Sequence, residues 1–274
     1  MAKTFAGFDL NRPVIMGILN TTPDSFSDGG EHVGVSAAVE HGLRMVDEGA
    51  DIIDVGGEST RPGAEPVSIA EELDRTILVV ERLAEAGVCV SIDTRHAVVM
   101  ESALAAGAEI VNDVTALTGD RRSMDVVANS NAAVVLMHMQ GKPGNMQKDP
   151  VYENAPREVF EYLHERVQAC EEAGIRRSRI ALDPGIGFGK TLQHNLEIMN
   201  ELGMYDRLNL PILMGLSRKS FIGGVTGETD PKNRLPGSIA AGLACVQRGA
   251  HILRVHDVLE TKQALDVWTA IDLS

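Results

Sequence analysis

Ala132-Ala133-Val134-Val135-Leu136-Met137 is a six-residue apolar run with no polar alternation. A strand with one face in water alternates polar and apolar residues, whereas a strand covered on both faces does not, so this run reads as a buried strand of a parallel sheet. Residues 152–173 follow with helical patterning, and then comes Gly174, where a helix C-terminus calls for a residue tolerant of positive φ. This strand, helix and glycine unit recurs in both directions along the chain. Strands are predicted at residues 13–19, 51–55, 88–92, 109–112, 132–137, 179–182, 211–215 and 251–255. Helices are predicted at residues 36–48, 68–86, 96–106, 120–130, 152–173, 193–202, 235–248 and 258–270, and Gly49, Gly87, Gly107 and Gly249 close four of them as Gly174 does. Eight such units, with no G-x-G-x-x-G opening the helix after the first strand, predict an α/β protein built as a closed (β/α)8 TIM barrel rather than an open doubly wound sheet.

The bulk numbers agree with one barrel. A length of 274 residues suits a fold that commonly needs about 250, and no Pro/Ser-rich linker divides the chain, so residues 1–274 are expected to form a single domain. Hydrophobic residues make up 44% and charged residues 23%, an ordinary globular balance. Neither an apolar N-terminal leader nor an apolar run of about 18 residues occurs, which points to the cytoplasm and away from a membrane. Cys89, Cys170 and Cys245 are scattered and read as buried thiols. A formal charge of -14 repels nucleic acid and anionic lipid, so neither is an expected partner, and an anionic substrate needs a local basic pocket.

The long connections, residues 21–35, 56–67, 139–151, 183–192 and 216–234, all follow strands, which puts the functional loops at the C-terminal mouth of the barrel. Polar residues end apolar strands at Asn20, Asp93, Asn112, Asp183, Arg254 and His256. A single Asp or Asn there is explained well enough as a helix cap. Six residues converging on one mouth favour a ligand. Asp93, Asn112 and Asp183 supply acceptors suited to the donor edge of an aminopyrimidine, and Lys219 adds donors. Alone, Lys219 reads equally as a surface lysine, or as a Schiff-base lysine if its site has low polarity. Arg254 and His256, two apart on one strand, share a face and suit a phosphate, unless His256 merely bonds a carboxylate such as Asp257.

Residues 183–191 end in the Gly-Lys-Thr of a phosphate loop, but Pro184 stands where its first glycine should be, so the stretch reads as a tight turn around a ligand. Residues 23–30 and 56–63 are polar and glycine-containing, as loops that close over substrates are, and as plain connections also are. Met137 could pack on an aromatic ligand, although core packing is the commoner use of methionine.

The run from Gly17 through Asn20-Thr21-Thr22-Pro23-Asp24-Ser25-Phe26-Ser27-Asp28 to Gly30 strongly resembles the signature of the dihydropteroate synthases. Asp54 to Gly63, Asp93-Thr94, Asn112-Asp113, Met137 to Gly141, Asp183 to Lys190, Ser217 to Phe221 and Arg254 to Asp257 resemble that family's other blocks, in order. The resemblance implies condensation of 6-hydroxymethyl-7,8-dihydropterin diphosphate with 4-aminobenzoate in folate biosynthesis. It implies that Asp93, Asn112, Asp183 and Lys219 hold the pterin, with Met137 against its ring, while Thr60, Arg254 and His256 serve the diphosphate, with Asn20 on Mg2+. Arg61, Pro62, Phe188, Ser220, Phe26 and Asp28 would shape the aminobenzoate site. Catalysis would fall to Asp93, Lys219, Arg254 and His256, in a homodimer. Arg95-His96 stands where that family commonly has a tyrosine or lysine. An inactive pterin-binding paralogue, a methyl-transfer protein docking on a corrinoid carrier and a lysine aldolase are the rival expectations.

Overall fold

The structure is a computed structural model that describes residues 3–21, 31–58, 67–141 and 146–272. It opens on a two-residue-by-two-residue hairpin, β1 (Thr4–Phe5) and β2 (Phe8–Asp9). The barrel strands follow: β3 (Val14–Asn20), β4 (Ile52–Gly56), β5 (Val90–Asp93), β6 (Ile110–Asp113), β7 (Ala133–Met137), β8 (Ile180–Asp183), β9 (Leu213–Gly215) and β10 (Ile252–Val255). Their pairing is parallel throughout, in the order β8-β7-β6-β5-β4-β3-β10-β9. A parallel bridge between Leu182 and Ile212, with Leu182 N–H donating to Pro211 O at 2.9 Å, joins the two ends into a ring. The predicted (β/α)8 barrel is therefore present.

Helices α1 (Glu31–Asp47), α2 (Ile69–Glu85), α3 (Ala97–Ala105), α4 (Ser123–Ala128), α5 (Ala155–Glu172) and α6 (Leu192–Asn200) cover the strands. A short α7 (Ser220–Thr226) lies in the β9–α8 connection, ahead of α8 (Leu235–Val246) and α9 (Val258–Asp272). The five glycines expected as caps all have φ between +81° and +109°. Among the described residues, no helix is long and apolar enough to cross a membrane.

Two apolar layers result from the period-two alternation of the strands. Outward residues such as Ile53, Val55, Val111, Leu136 and Leu182 pack under the helices. Inward residues Val14, Met16, Ile52, Ile110, Ala133, Val135, Ala181, Leu213 and Ile252 fill the barrel, and Phe5 from the hairpin joins them. The hairpin, α7 and the 3-10 turns were not legible as periodic patterns because each is too short to show a period.

Several strands run one residue beyond the predicted end, to Asn20, Gly56, Asp93, Asp113 and Asp183. For four of these the expectation stopped at the last apolar side chain, and for β6 at Asn112. Backbone pairing does not stop there: Asp93 is in register with both Gly56 and Asn112, and Asp183 with Met137. The polar residues thus belong to the strands, and strand geometry aims them.

Candidate active site

Two residues above the apolar filling of the barrel, the same inward faces turn polar. Ile52 is followed by Asp54, Ser91 by Asp93, Ile110 by Asn112, Ala181 by Asp183 and Ile252 by Arg254, and Asp54, Asp93, Asn112 and Asp183 are all buried. Buried charges persist only when paired, and Asp54 and Asp93 share Arg254. Arg254 donates through Nε to Asp54 Oδ2 and through Nη2 to Asp93 Oδ2, each at 2.6 Å, and Asn112 Nδ2 donates to Asp54 Oδ2 at 3.0 Å. With its amide hydrogens turned to Asp54, Asn112 has its oxygen to offer elsewhere.

One guanidinium between two carboxylates leaves the triad one negative charge in excess. Burial pushes the Asp93 carboxyl up to about 7; Arg254 opposes that shift and Asp54 adds to it. Burial alone would pull the Arg254 guanidinium down, but Asp54 and Asp93 outweigh it and hold the group above its ordinary value. Arg254 is therefore a permanent cation fixed edge-on by two carboxylates.

A second group of charges stands beside the triad. Asp183 Oδ1 accepts from Gly185 N–H at 2.7 Å, and burial raises its carboxyl while the nearby Lys219 ammonium opposes the rise. Lys219 Nζ donates to Ile186 O at 2.5 Å and sits 4.8 Å from the centroid of the Phe188 ring, a cation–π contact. Burial lowers the Lys219 amine to about 8, with Asp183 resisting. Immediately before it, Arg218 has a φ of +59°, a left-handed conformation that is costly for a side chain of this size. An ion pair to Asp257, a bond from Arg218 N–H to Ser238 Oγ at 2.9 Å and a bond from Arg234 to Arg218 O at 3.1 Å hold it there. That strained turn is what points Lys219 back over the barrel.

The remaining expected residues fall into two classes. Met137 is buried on the inward face of β7, Phe188 is half-buried beneath Lys219, and Ser220 is exposed at the start of α7. Asn20 is half-buried at the end of β3, in register with Gly56. His256, just past β10, has Nδ1 3.0 Å from Ser217 Oγ. Its neighbour Asp257 carries the Arg218 pair. Phe26, Asp28, Thr60, Arg61 and Pro62 lie outside the described residues.

Among the described residues, no group of three or more His, Cys, Asp or Glu side chains is arranged to hold a metal. The amide oxygen of Asn20 is a single hard donor, which fits Mg2+, an ion that takes most of its ligands from water and phosphate.

Asp54 is the functional residue the sequence reading left without a role. Its signal was present: an ionisable residue inside the apolar run Ile52-Ile53-Asp54-Val55, on the same face as Ile52. The phosphate-loop lookalike has also found its explanation. Lys190 is buried among backbone carbonyls of its own turn and donates to Gly185 O and Phe188 O, each at 2.9 Å. It does not face a nucleotide.

Comparison with known proteins agrees with this geometry. The family described as pterin binding enzyme matches residues 16–256. Dihydropteroate synthase of Escherichia coli (strain K12) is 47% identical over 269 residues, covering 97% of this chain and 95% of that protein. Among solved structures, Xanthomonas albilineans dihydropteroate synthase with 4-aminobenzoic acid superposes with a TM-score of 0.91 at 49% identity, covering 97% of this chain and 96% of that one. The same enzyme in complex with 7,8-dihydropteroate gives a TM-score of 0.88 at 47% identity, again covering 97% and 96%. By sequence, by fold and by the buried acidic mouth of its barrel, the chain belongs to the dihydropteroate synthases, transferases of folate biosynthesis.

Proposed function

We propose that this chain condenses 6-hydroxymethyl-7,8-dihydropterin diphosphate with 4-aminobenzoate to give 7,8-dihydropteroate and diphosphate. The observation that carries the reading is the set of buried acceptors, Asp93, Asn112 and Asp183, at one barrel mouth beside the cations Arg254 and Lys219. Asp183 and Asn112 would accept from the pterin's amino and ring N–H groups, Lys219 would donate to its carbonyl, and Met137 would pack against the ring. Recognition by buried acceptors is selective, because a ligand lacking the matching donors leaves them unpaired.

In the reaction the exocyclic C–O bond breaks with its electron pair leaving on diphosphate, and the lone pair of the aminobenzoate nitrogen forms the new C–N bond. That nitrogen then loses a proton. No protein nucleophile is needed, so the residues act through charge placed in advance. Asp93 would favour positive charge developing on the pterin. Arg254 and His256, with Thr60, would stabilise the departing diphosphate. Asn20 would hold Mg2+, which supplies further neutralisation of the diphosphate. Arg61, Pro62, Phe26, Asp28, Phe188 and Ser220 would surround the aminobenzoate. The Schiff-base alternative for Lys219 gives way to family membership and not to its electrostatics, since burial lowers its amine to about 8.

We further infer a cytoplasmic homodimer whose partners are small molecules. The test of the reaction is diphosphate release by the purified protein with the pterin diphosphate, aminobenzoate and Mg2+ each left out in turn. Release is expected only with both substrates present. Release that ignores aminobenzoate, or none with the complete mixture, would contradict the assignment.

A further inference from the structure

Lys190 is a buried amine that the reaction does not use, 3% exposed. Its Nζ lies 2.9 Å from each of His138 Nδ1, Gly185 O and Phe188 O, with His138 O further away at 3.3 Å. An ammonium has three N–H donors and a neutral amine has two. Three partners at 2.9 Å saturate the amine in either state: an ammonium donates to all three, and a neutral amine donates to the two carbonyls and accepts from His138 Nδ1–H. Burial, helped by the adjacent lysine charge, pulls the His138 imidazole down to about 2, so the ring stays neutral and can accept at Nδ1. Burial pulls Lys190 itself well below the ordinary lysine range; Asp183 opposes that shift and Lys219 adds to it.

The three partners come from two places. His138 ends the β7 segment; Gly185 and Phe188 belong to the turn after β8. The two segments are in direct backbone contact, since a Cβ on Gly185 would lie 1.9 Å from His138 O and one on Gly189 would lie 2.4 Å from Gln140 O. Lys190 bolts them together. The same turn presents the N–H of Gly185 to Asp183, the carbonyl of Ile186 to Lys219 and the Phe188 ring beneath the Lys219 ammonium.

We propose that Lys190 is a positioning residue for the pterin pocket: shared by His138 Nδ1, Gly185 O and Phe188 O, its amine fixes the turn that aims Asp183 and clamps Lys219. The inference rests on the reading of Asp183 and Lys219 as pterin-binding groups. Lysine is suited to the task because a single flexible stem delivers one amine that bonds three partners at a buried point.

The experiment compares Lys190→Met, His138→Leu and His138→Gln with the parent protein, at temperatures well below unfolding. It reads KM and kcat for the pterin diphosphate, the pH profile of kcat/KM, and thermal midpoints. Lys190→Met is expected to raise KM for the pterin diphosphate about tenfold, the equivalent of one buried hydrogen bond. It is also expected to move the alkaline limb upward, because a loosened turn returns Lys219 to water and towards its ordinary basicity. His138→Leu should shift both quantities the same way and His138→Gln, which restores an acceptor oxygen, should reverse the shift. A lowered midpoint with unchanged pterin KM and unchanged alkaline limb would overturn the proposal. Should Lys190→Met not fold, the His138 pair decides: equal behaviour of the Leu and Gln variants overturns it. Asp183→Ala is the control on the underlying reading. If that variant keeps the parent's pterin KM, the pocket assignment itself fails; if it loses affinity while Lys190→Met does not, only the positioning role fails.

Discussion

Asp54 is wholly buried, and its Oδ2 serves both Arg254 and Asn112. It has two effects on the site. Its pairing fixes the guanidinium plane, and its charge raises the carboxyl of Asp93, beyond what burial has already done. Asp93 pushed up to about 7 and Lys219 pulled down to about 8 set a narrow window in which the first is a carboxylate and the second an ammonium. Below the first value Asp93 is neutral and no longer favours positive charge; above the second Lys219 is neutral. The kcat/KM for the pterin diphosphate is therefore expected to be bell-shaped in the free enzyme. Asp54→Asn removes a raising charge and leaves Arg254 to Asp93 alone, and both changes lower the Asp93 carboxyl, so the acid limb should move to lower pH. An acid limb that stays in place in a pH-rate series of the folded variant would contradict this account.

At the level of elements, the described ends of the β4–α2 connection are held by ion pairs and backbone bonds. Glu58 accepts from Arg95 at both oxygens, at 2.9 and 3.1 Å, and also lies 3.4 Å from Val67 N, while Arg75 donates to Gly57 O at 3.0 Å. Behind them His96 Nδ1 is 2.7 Å from Glu72 Oε2. Glu58 thus touches the far side of the same loop that contains Thr60, Arg61 and Pro62, and Arg95 holds Glu58 in place from the end of β5. The Arg95-His96 pair has a structural role here, Arg95 on Glu58 and His96 on Glu72. Arg95→Ser is expected to raise KM for aminobenzoate about fivefold with little change in pterin affinity, as suits a partly exposed ion pair worth about 1 kcal/mol. Steady-state kinetics with each substrate varied would check this; equal effects on both KM values would show that Arg95 supports the whole mouth instead.

Over the whole molecule, the formal charge of -14 works against self-association except where charge is absent. The short α7 and the longer α8 meet that condition, and α8 offers the larger face. The α8 sequence Leu-Pro-Gly-Ser-Ile-Ala-Ala-Gly-Leu-Ala-Cys-Val contains no charged residue, although Pro236, Ala240 and Ala244 are exposed and Leu235, Ile239 and Leu243 only half-buried. Helices α2 and α5, by contrast, carry charges along their exposed faces. An uncharged outer helix on an acidic protein suits contact with a second copy of itself, in line with the homodimer proposed above. Ala240→Arg places a cation on the exposed side without disturbing the barrel. It is expected to convert a dimer into a monomer in sedimentation velocity. A parent that sediments as a monomer, or a variant that remains dimeric, would remove α8 as the interface.

The order of strands and helices was legible in the sequence because it depends on local periodicity and on glycines at helix ends, both of which are properties of short stretches. The polar residues at strand ends were legible for the same reason. Adjacent residues were not separable: Asn112 faces the barrel, while Asp113 faces outward and accepts from Thr115 and Leu117 N–H. Only strand register decided which was which. Nor could spacing show that Asp54 and Arg254, 200 residues apart, share one hydrogen bond. That contact requires the ring to close with β3 lying between β4 and β10. Pro184 already argued against a phosphate loop at Lys190, but the sequence could not show what Lys190 binds, because one of its partners, His138, is 52 residues away. The sequence by itself determined the elements and the inventory of charges at the mouth. Which charges neutralise one another, and which merely hold the others in place, was decided by the tertiary structure, because electrostatic pairing depends on distance through space and burial rather than on position along the chain.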